Sequence, residues 1–438
     1  MNRAMNRVTC LLLLLCFSGF AETVVFENVN VVPMDRERIL KDQTVVVQDG
    51  RIAEIGSNVK TPAGAVRVPA KGKFLMPGFA EMHGHLPDAS VPQAEAEKIL
   101  YLYVANGVTT VRGMLGAPNQ LELRRNIASG KIIGPTLHLA GPALSGKSTP
   151  DPSTAAKMVR DQKNAGYDLI KIQEGLKREV YDAIAKTAKE MGIPFAGHVP
   201  DEVGLLHAIE SGQKSVDHLD NFVEALAEDA PGDKPAALRA DESKLPGLVG
   251  KVREAGVYNV PTMALWEIFH GDEAADSLRK RDDLKYMAKE TIESWSRRVR
   301  EMRSNANPQA GKRTLELRNK ILRGLYDGGA KIVFGTDSPQ LFSVPGFSIH
   351  REMRMMVECG MSPYDVLVSG TKTVAEYFGA RKEMGTVEKG KRADLILLEA
   401  NPLDDVGNMA KRAGVMVRGR WLPESEIEKR LKEIAAGR

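Results

Sequence analysis

The sequence predicts an α/β fold: a (β/α)8 barrel carrying a small composite β-sandwich domain built from both chain ends. Three observations lead there. Eight strand-like segments alternate with helix-like sequence between residues 79 and 337. Strand-like texture without helices precedes that region and returns after it. The chain, at 438 residues, has room for a barrel and one smaller domain.

The first 21 residues read as a secretory signal. Arg3 and Arg7 start it, an apolar run from Val8 to Phe17 follows, and Gly19-Phe20-Ala21 is a small-x-small cleavage site. The bland alternative is an uncleaved membrane anchor, although the run is short for a span. The expected product is periplasmic or secreted, with no stable membrane association once the signal is gone. Cys10 and Cys16 fall inside the signal, so Cys359 would be the one remaining thiol and no internal disulfide is expected. The net charge of +4 includes Arg3 and Arg7 and is too small to argue for a nucleic-acid partner.

Residues 22–73 and 380–421 form the composite β domain. Val24-Val25-Phe26, Thr44-Val45-Val46-Val47 and Ile52-Ala53-Glu54-Ile55 are β-rich, with a turn at Gln48-Asp49-Gly50-Arg51. The barrel spans 74–379, with strands expected at 79–83, 108–112, 136–140, 169–172, 194–198, 215–218, 258–262 and 332–337. The connection 265–330 is long, charged and helical in pattern. It reads either as a solvated insertion or as a lid or dimer surface; a homo-oligomer is one possible consequence. Residues 422–438 form an amphipathic helix.

Functional groups of such barrels gather at the C-terminal ends of the strands. Strand one ends in His83-Gly84-His85, whose two imidazoles, two positions apart, face the same way. Strand four carries Lys171 amid apolar neighbours, strand five ends at His198, strand six at His218, and strand eight at Asp337. Together these residue types suit one or two divalent metals. Singly, each has a plainer role: a hydrogen-bonded strand-end histidine, a helix N-cap for Asp337, an internal salt bridge for Lys171.

With Met76-Pro77-Gly78-Phe79 before His83, Gly197-His198, His218, Gly335-Thr336-Asp337-Ser338-Pro339 and Gly390-Lys391-Arg392-Ala393-Asp394, the chain resembles the amidohydrolase superfamily, in its imidazolonepropionase-like and prolidase-like branch. The resemblance implies that His83, His85 and Asp337 hold one metal and His198 and His218 a second, zinc or a similar ion. It also implies an N-carboxylated Lys171, since a carbamate can bridge cations and an ammonium cannot. A water bridging the metals would give the attacking hydroxide, Asp337 would act as general base and then acid, and His218 would help stabilise the oxyanion.

Substrate recognition is thinly written. A small-molecule amide is expected, a dipeptide or N-acyl amino acid first, with lactone, carbamate or cyclic-amide hydrolysis second. A barrel retained only as a binding module is the reading from a different class. Arg112 and His138 could bind a carboxylate or be packed inside the barrel. His350 could line the pocket or cap a helix. His207 and His270 are expected in solvent. A short loop, Gln173-Glu174-Gly175-Leu176, weighs against an Xaa-Pro preference.

Overall fold

The computed structural model describes residues 22–227 and 233–437, so the expected export signal lies outside the described residues. Among those described, no helix is long and apolar enough to cross a membrane.

The chain begins with β1 (Val24–Val31), β2 (Leu40–Gln48), β3 (Arg51–Gly56), β4 (Val66–Pro69) and β5 (Phe74–Pro77). A parallel series follows: β6 (Phe79–Gly84), β7 (Val108–Gly113), β8 (Thr136–Leu139), β9 (Ile170–Ile172), β10 (Phe195–Gly197), β11 (Ser215–Asp217), β12 (Tyr258–Val260) and β13 (Lys331–Ile332). The chain returns to β14 (Leu395–Leu398), β15 (Arg412–Val417) and β16 (Arg420–Pro423).

Strands from both ends share one sheet, in the order β16-β15-β14-β5-β1-β2-β3, because β14 lies antiparallel to β5. The sequence suggested two stacked sheets. The hydrogen bonds instead make one sheet that forks along β1, whose first half pairs with β4 and whose second half pairs with β5. Register shifts between Phe26 and Val31 bend β1 where the fork occurs. Phe26, Val45, Leu75, Leu395 and Met416 are buried on its inner face. The Trp421 ring meets Phe26 edge-on at 5.0 Å. Each such large apolar side chain contributes about 2 kcal/mol by leaving water.

The parallel strands run in chain order as two sheets, β6-β7-β8 and β9-β10-β11-β12-β13. Bridges Ala140↔Leu169 and Leu144↔Ile172 connect β8 to β9, and Gly84↔Ser338 connects β6 to the segment after β13. Strands β6, β7 and β9 to β12 are buried at every residue, as strands covered on both faces must be. The covering helices carry ordinary stop signals. Helix Pro152–Ala165 starts at Asp151, whose carboxylate accepts from the Ser153 and Thr154 amides, and stops at Gly166, left-handed at φ 90°. Helix Arg178–Met191 buries Val180, Ile184 and Ala188 at four-residue spacing.

Two expectations are corrected here. The eighth strand was expected over 332–337, but its ladder ends at Ile332. Residues 333–337 are held by scattered bonds instead: Val333 N to Asn259 O, Phe334 N to Ser369 O and Asp337 N to His83 O. The segment ends at Asp337, left-handed at φ 64°, a conformation outside any regular strand. The 265–330 connection is not a solvated excursion. Its helices bury Leu265, Ile268, Ile292 and Val299 in one cluster with Leu341, Phe342 and Val344. Those last three residues follow Asp337, so the connection packs beside the segment that carries it. Ile427, Leu431 and Ile434 of helix Glu424–Ala436 complete the same cluster.

Candidate metal centre

Backbone pairing puts the first ligands together. Asp337 N donates to His83 O at 2.8 Å and His85 N to Ser338 O at 2.8 Å, so the end of β6 and the segment after β13 lie side by side. Gly84, between the two histidines, has no room for a side chain: a Cβ there would come within 2.8 Å of Val111. Glu81, two residues before His83 on the same face of β6, is fully buried. It accepts from the amides of His83 (2.9 Å) and Thr336 (2.8 Å) and from the Thr336 hydroxyl (2.6 Å). Burial pushes its carboxyl up to about 8.

Three imidazoles are each gripped by their Nδ1. His83 Nδ1 donates to Asp217 Oδ2 at 2.7 Å and His198 Nδ1 to Asp220 Oδ2 at 2.7 Å, while His218 Nδ1 is hydrogen-bonded to Thr262 Oγ1 at 2.9 Å. A ring fixed through one nitrogen aims the other at a ligand. The rings crowd together: His83 and His218 are 4.3 Å apart between centroids, His198 and His218 4.7 Å, His83 and His85 5.6 Å. Burial holds His83 and His218 well below the usual histidine range, so both are neutral, the form that ligates.

Asp337 faces this group. Its Oδ1 is 2.9 Å from His85 Nε2 and 3.5 Å from His83 Nε2, and its Oδ2 is 4.0 Å from His218 Nε2. Yet Asp337 Oδ1 and His218 Nε2 are both buried without a hydrogen-bond partner among the described residues. A buried acceptor that close to imidazole nitrogens, and still unbonded, is where lone pairs converge on a third body. Ligand atoms of His83, His218 and Asp337 lie within 4.8 Å of one another. Lys171 Nζ is 3.3 Å from His83 Nε2, and the lysine is 2% exposed. Burial pulls its ammonium below the usual value, which favours the free amine. Gly197 makes space for it, since a Cβ there would sit 2.9 Å from Lys171 Cδ. The donor set of imidazoles and a carboxylate, with Lys171 beside it, fits divalent metal chemistry. Strain marks the same place: His218, Thr262 and Asp337 are all left-handed, at φ 61°, 47° and 64°, at a cost of about 1 kcal/mol or more each.

Thus His83, His85, Lys171, His198, His218 and Asp337 come together. The three residues considered for substrate binding do not join them. Arg112 is fully buried and donates to Asp217 (2.8 and 3.0 Å), Ser215 Oγ and Tyr377 OH (both 2.8 Å), so no donor is left for a substrate on those atoms. It is the packed, salt-bridged residue of the two readings. His138 stacks on Phe378 at 3.7 Å. His350 faces Arg412 and Arg354, and burial brings it down to about 4. His270, expected in solvent, stacks on Trp266 at 5.6 Å, and His207 bonds Asp182 at 2.6 Å. Sequence reading missed Asp217, Asp220, Thr262 and Glu81. Glu81 had a signal, an acidic residue at i−2 from His83 in an apolar strand.

The chain matches the amidohydrolase family over residues 74–422. It is 22% identical to the ochratoxinase of Aspergillus niger, across 88% of this chain and 82% of that protein. A solved Xaa-Pro dipeptidase with methionine in its active site superposes with a TM-score of 0.68 at 21% identity, covering 92% of this chain and all of the other. Bottromycin amidohydrolase superposes with a TM-score of 0.74 at 22% identity, covering 95% and 90%.

Proposed function

The chain belongs to the amidohydrolase family, and from that premise we propose an exported, metal-dependent enzyme that cleaves the amide of dipeptides or N-acyl amino acids. It is a hydrolase of carbon–nitrogen bonds, as its relatives are. The two parallel sheets are read as arcs of one closed (β/α)8 barrel. The bridges at both seams support this, as does the presence of the site at the strand ends.

The observation that carries the reading is the gathering of four imidazoles, three of them anchored through Nδ1, beside buried Asp337, while Asp337 Oδ1 and His218 Nε2 have no hydrogen-bond partner among the described residues. His83, His85 and Asp337 would hold one metal, and His198 and His218 a second. Lys171, as its carbamate, would reach both. Bound divalent metals supply Lewis acidity, bringing a water's pKa to roughly 7 and polarising the scissile carbonyl. Asp337 accepts the proton of the attacking water and delivers it to the leaving nitrogen. Among the described residues Gln340 Nε2 donates to Asp337 Oδ2 at 2.8 Å, while Oδ1 faces His85 and His83. Asp217 and Asp220 keep His83 and His198 in the tautomer that presents Nε2.

The test is a panel of dipeptides, N-acyl amino acids, lactones and carbamates offered to the zinc- and bicarbonate-supplemented protein. Turnover of the first two classes, with kcat/KM at least tenfold above the others, supports the reading. Turnover confined to lactones or carbamates replaces its substrate class, and no turnover with bound ligand favours a binding module.

A further inference from the structure

Arg318 stands apart from every other buried arginine with a role described above. It sits on helix Pro308–Asp327 in the 265–330 connection and is 3% exposed. Its guanidinium lies flat on the Trp266 indole, 3.6 Å from the ring centre, and Trp266 in turn stacks on His270. Its Nε and Nη2 are buried and unbonded among the described residues, and so are Trp266 Nε1 and His270 Nδ1. Buried donors normally find partners, and an arginine buried without an anion on its fork is rarer still. Three stacked side chains with four such atoms are therefore a site waiting for an acceptor.

The three rings border one cavity of about 280 Å³. Glu174, Asp201, Asp220 and Glu224 line it as well, and Asp220 is the residue that grips His198. The cavity thus lies between Arg318 and the carboxylate that holds His198. Asp220, Glu224 and Glu352 act on Arg318 through space, but Asp220 is already engaged by His198 and none of the three forms an ion pair with the guanidinium among the described residues. Acidic groups across the cavity disfavour a doubly charged anion such as phosphate. A single carboxylate matches the planar fork with two parallel bonds.

We propose that Arg318, backed by Trp266 and His270, receives the free carboxylate of the substrate and so makes the enzyme a carboxypeptidase-like hydrolase selective for acids over their amides. This rests on the hydrolase reading above and deepens it. It also gives the 265–330 connection a role, as the element that brings the specificity residue to the cavity.

The test uses full-length, metal-loaded protein and calorimetric binding of 3-phenylpropanoate against 3-phenylpropan-1-ol, a pair that the enzyme cannot cleave. Wild type should bind the acid more tightly than the alcohol. Arg318→Met should weaken the acid roughly 30-fold, the scale of a charged hydrogen bond, and leave the alcohol and the metal content unchanged. Its melting temperature should not fall, because an unpaired buried charge is removed. Arg318→Lys should bind the acid with intermediate strength, and it supplies the comparison if the methionine variant does not fold. Equal acid binding in wild type and both variants would overturn the proposal, because the carboxylate would then sit elsewhere. So would a lowered melting temperature with parallel loss of both ligands, the mark of a structural arginine, or wild type that does not prefer the acid. An enzyme that binds the acid through Arg318 but cleaves no amide would refute the proposed reaction and leave this subsite standing.

Discussion

At the scale of residues, Asp337 and Asp217 divide the labour. Asp337 Oδ1 faces imidazole nitrogens, so Asp337→Asn should keep the melting curve and lose about a thousandfold in kcat. Near-wild-type turnover of the best substrate would remove Asp337 from the chemistry. Asp217 touches no substrate; it neutralises Arg112 and orients His83. Asp217→Asn strands a fully buried guanidinium, so denaturant unfolding should show a loss of about 3 kcal/mol or more, with metal affinity weakened roughly tenfold or more. Unchanged stability would mean that the pair carries no weight. The candidate ligands were legible because strand alternation makes His83 and His85 neighbours and because a lysine in Ile170-Lys171-Ile172 has no ordinary place. The sequence hid Asp220 and Arg318, which sit in a loop and on a charged helix where nothing separates a buried group from a solvated one.

At the scale of elements, pairing that depends on irregular backbone was the part not legible. The eighth strand reads as six residues of β sequence, but its end departs from the ladder, where Thr336 donates to Glu81 and Asp337 is left-handed. The fork in β1 was read past as well, although its register shifts fall at Phe26-Glu27-Asn28-Val29-Asn30-Val31, where Asn28 is left-handed at φ 57°. Helix Ile349–Glu358 gives a prediction of its own. Burial, aided by Arg412 and Arg354, holds His350 neutral down to about pH 4. In the unfolded chain it takes up a proton near 6.5. Between those values only the unfolded state binds the proton, so stability falls as pH drops from about 6.5 to 4, by up to about 3 kcal/mol from this residue. Urea titrations of wild type and His350→Leu should show a flatter decline in the variant. Parallel curves would mean that His350 protonates in the folded protein.

At the scale of the whole molecule, one sheet joins strands from both sides of the parallel series, while two parallel sheets in chain order gather six candidate ligand residues. Texture separates the strand-helix alternation from the composite sheet, but β5 (Phe74–Pro77), which that reading put at the start of the barrel, pairs with β1 and β14 in the composite sheet. The 265–330 connection could be read as helical but not as packed, since its apolar face is complemented by Leu341 and Phe342, distant in sequence. Everything functional in this architecture depends on cations being held where the imidazoles point. Elemental analysis of the full-length protein, purified without chelator and dialysed in bicarbonate, tests that most directly. About two divalent ions per chain are predicted, falling to about one in Lys171→Met; a wild-type protein that retains none after incubation with zinc and bicarbonate would contradict the account.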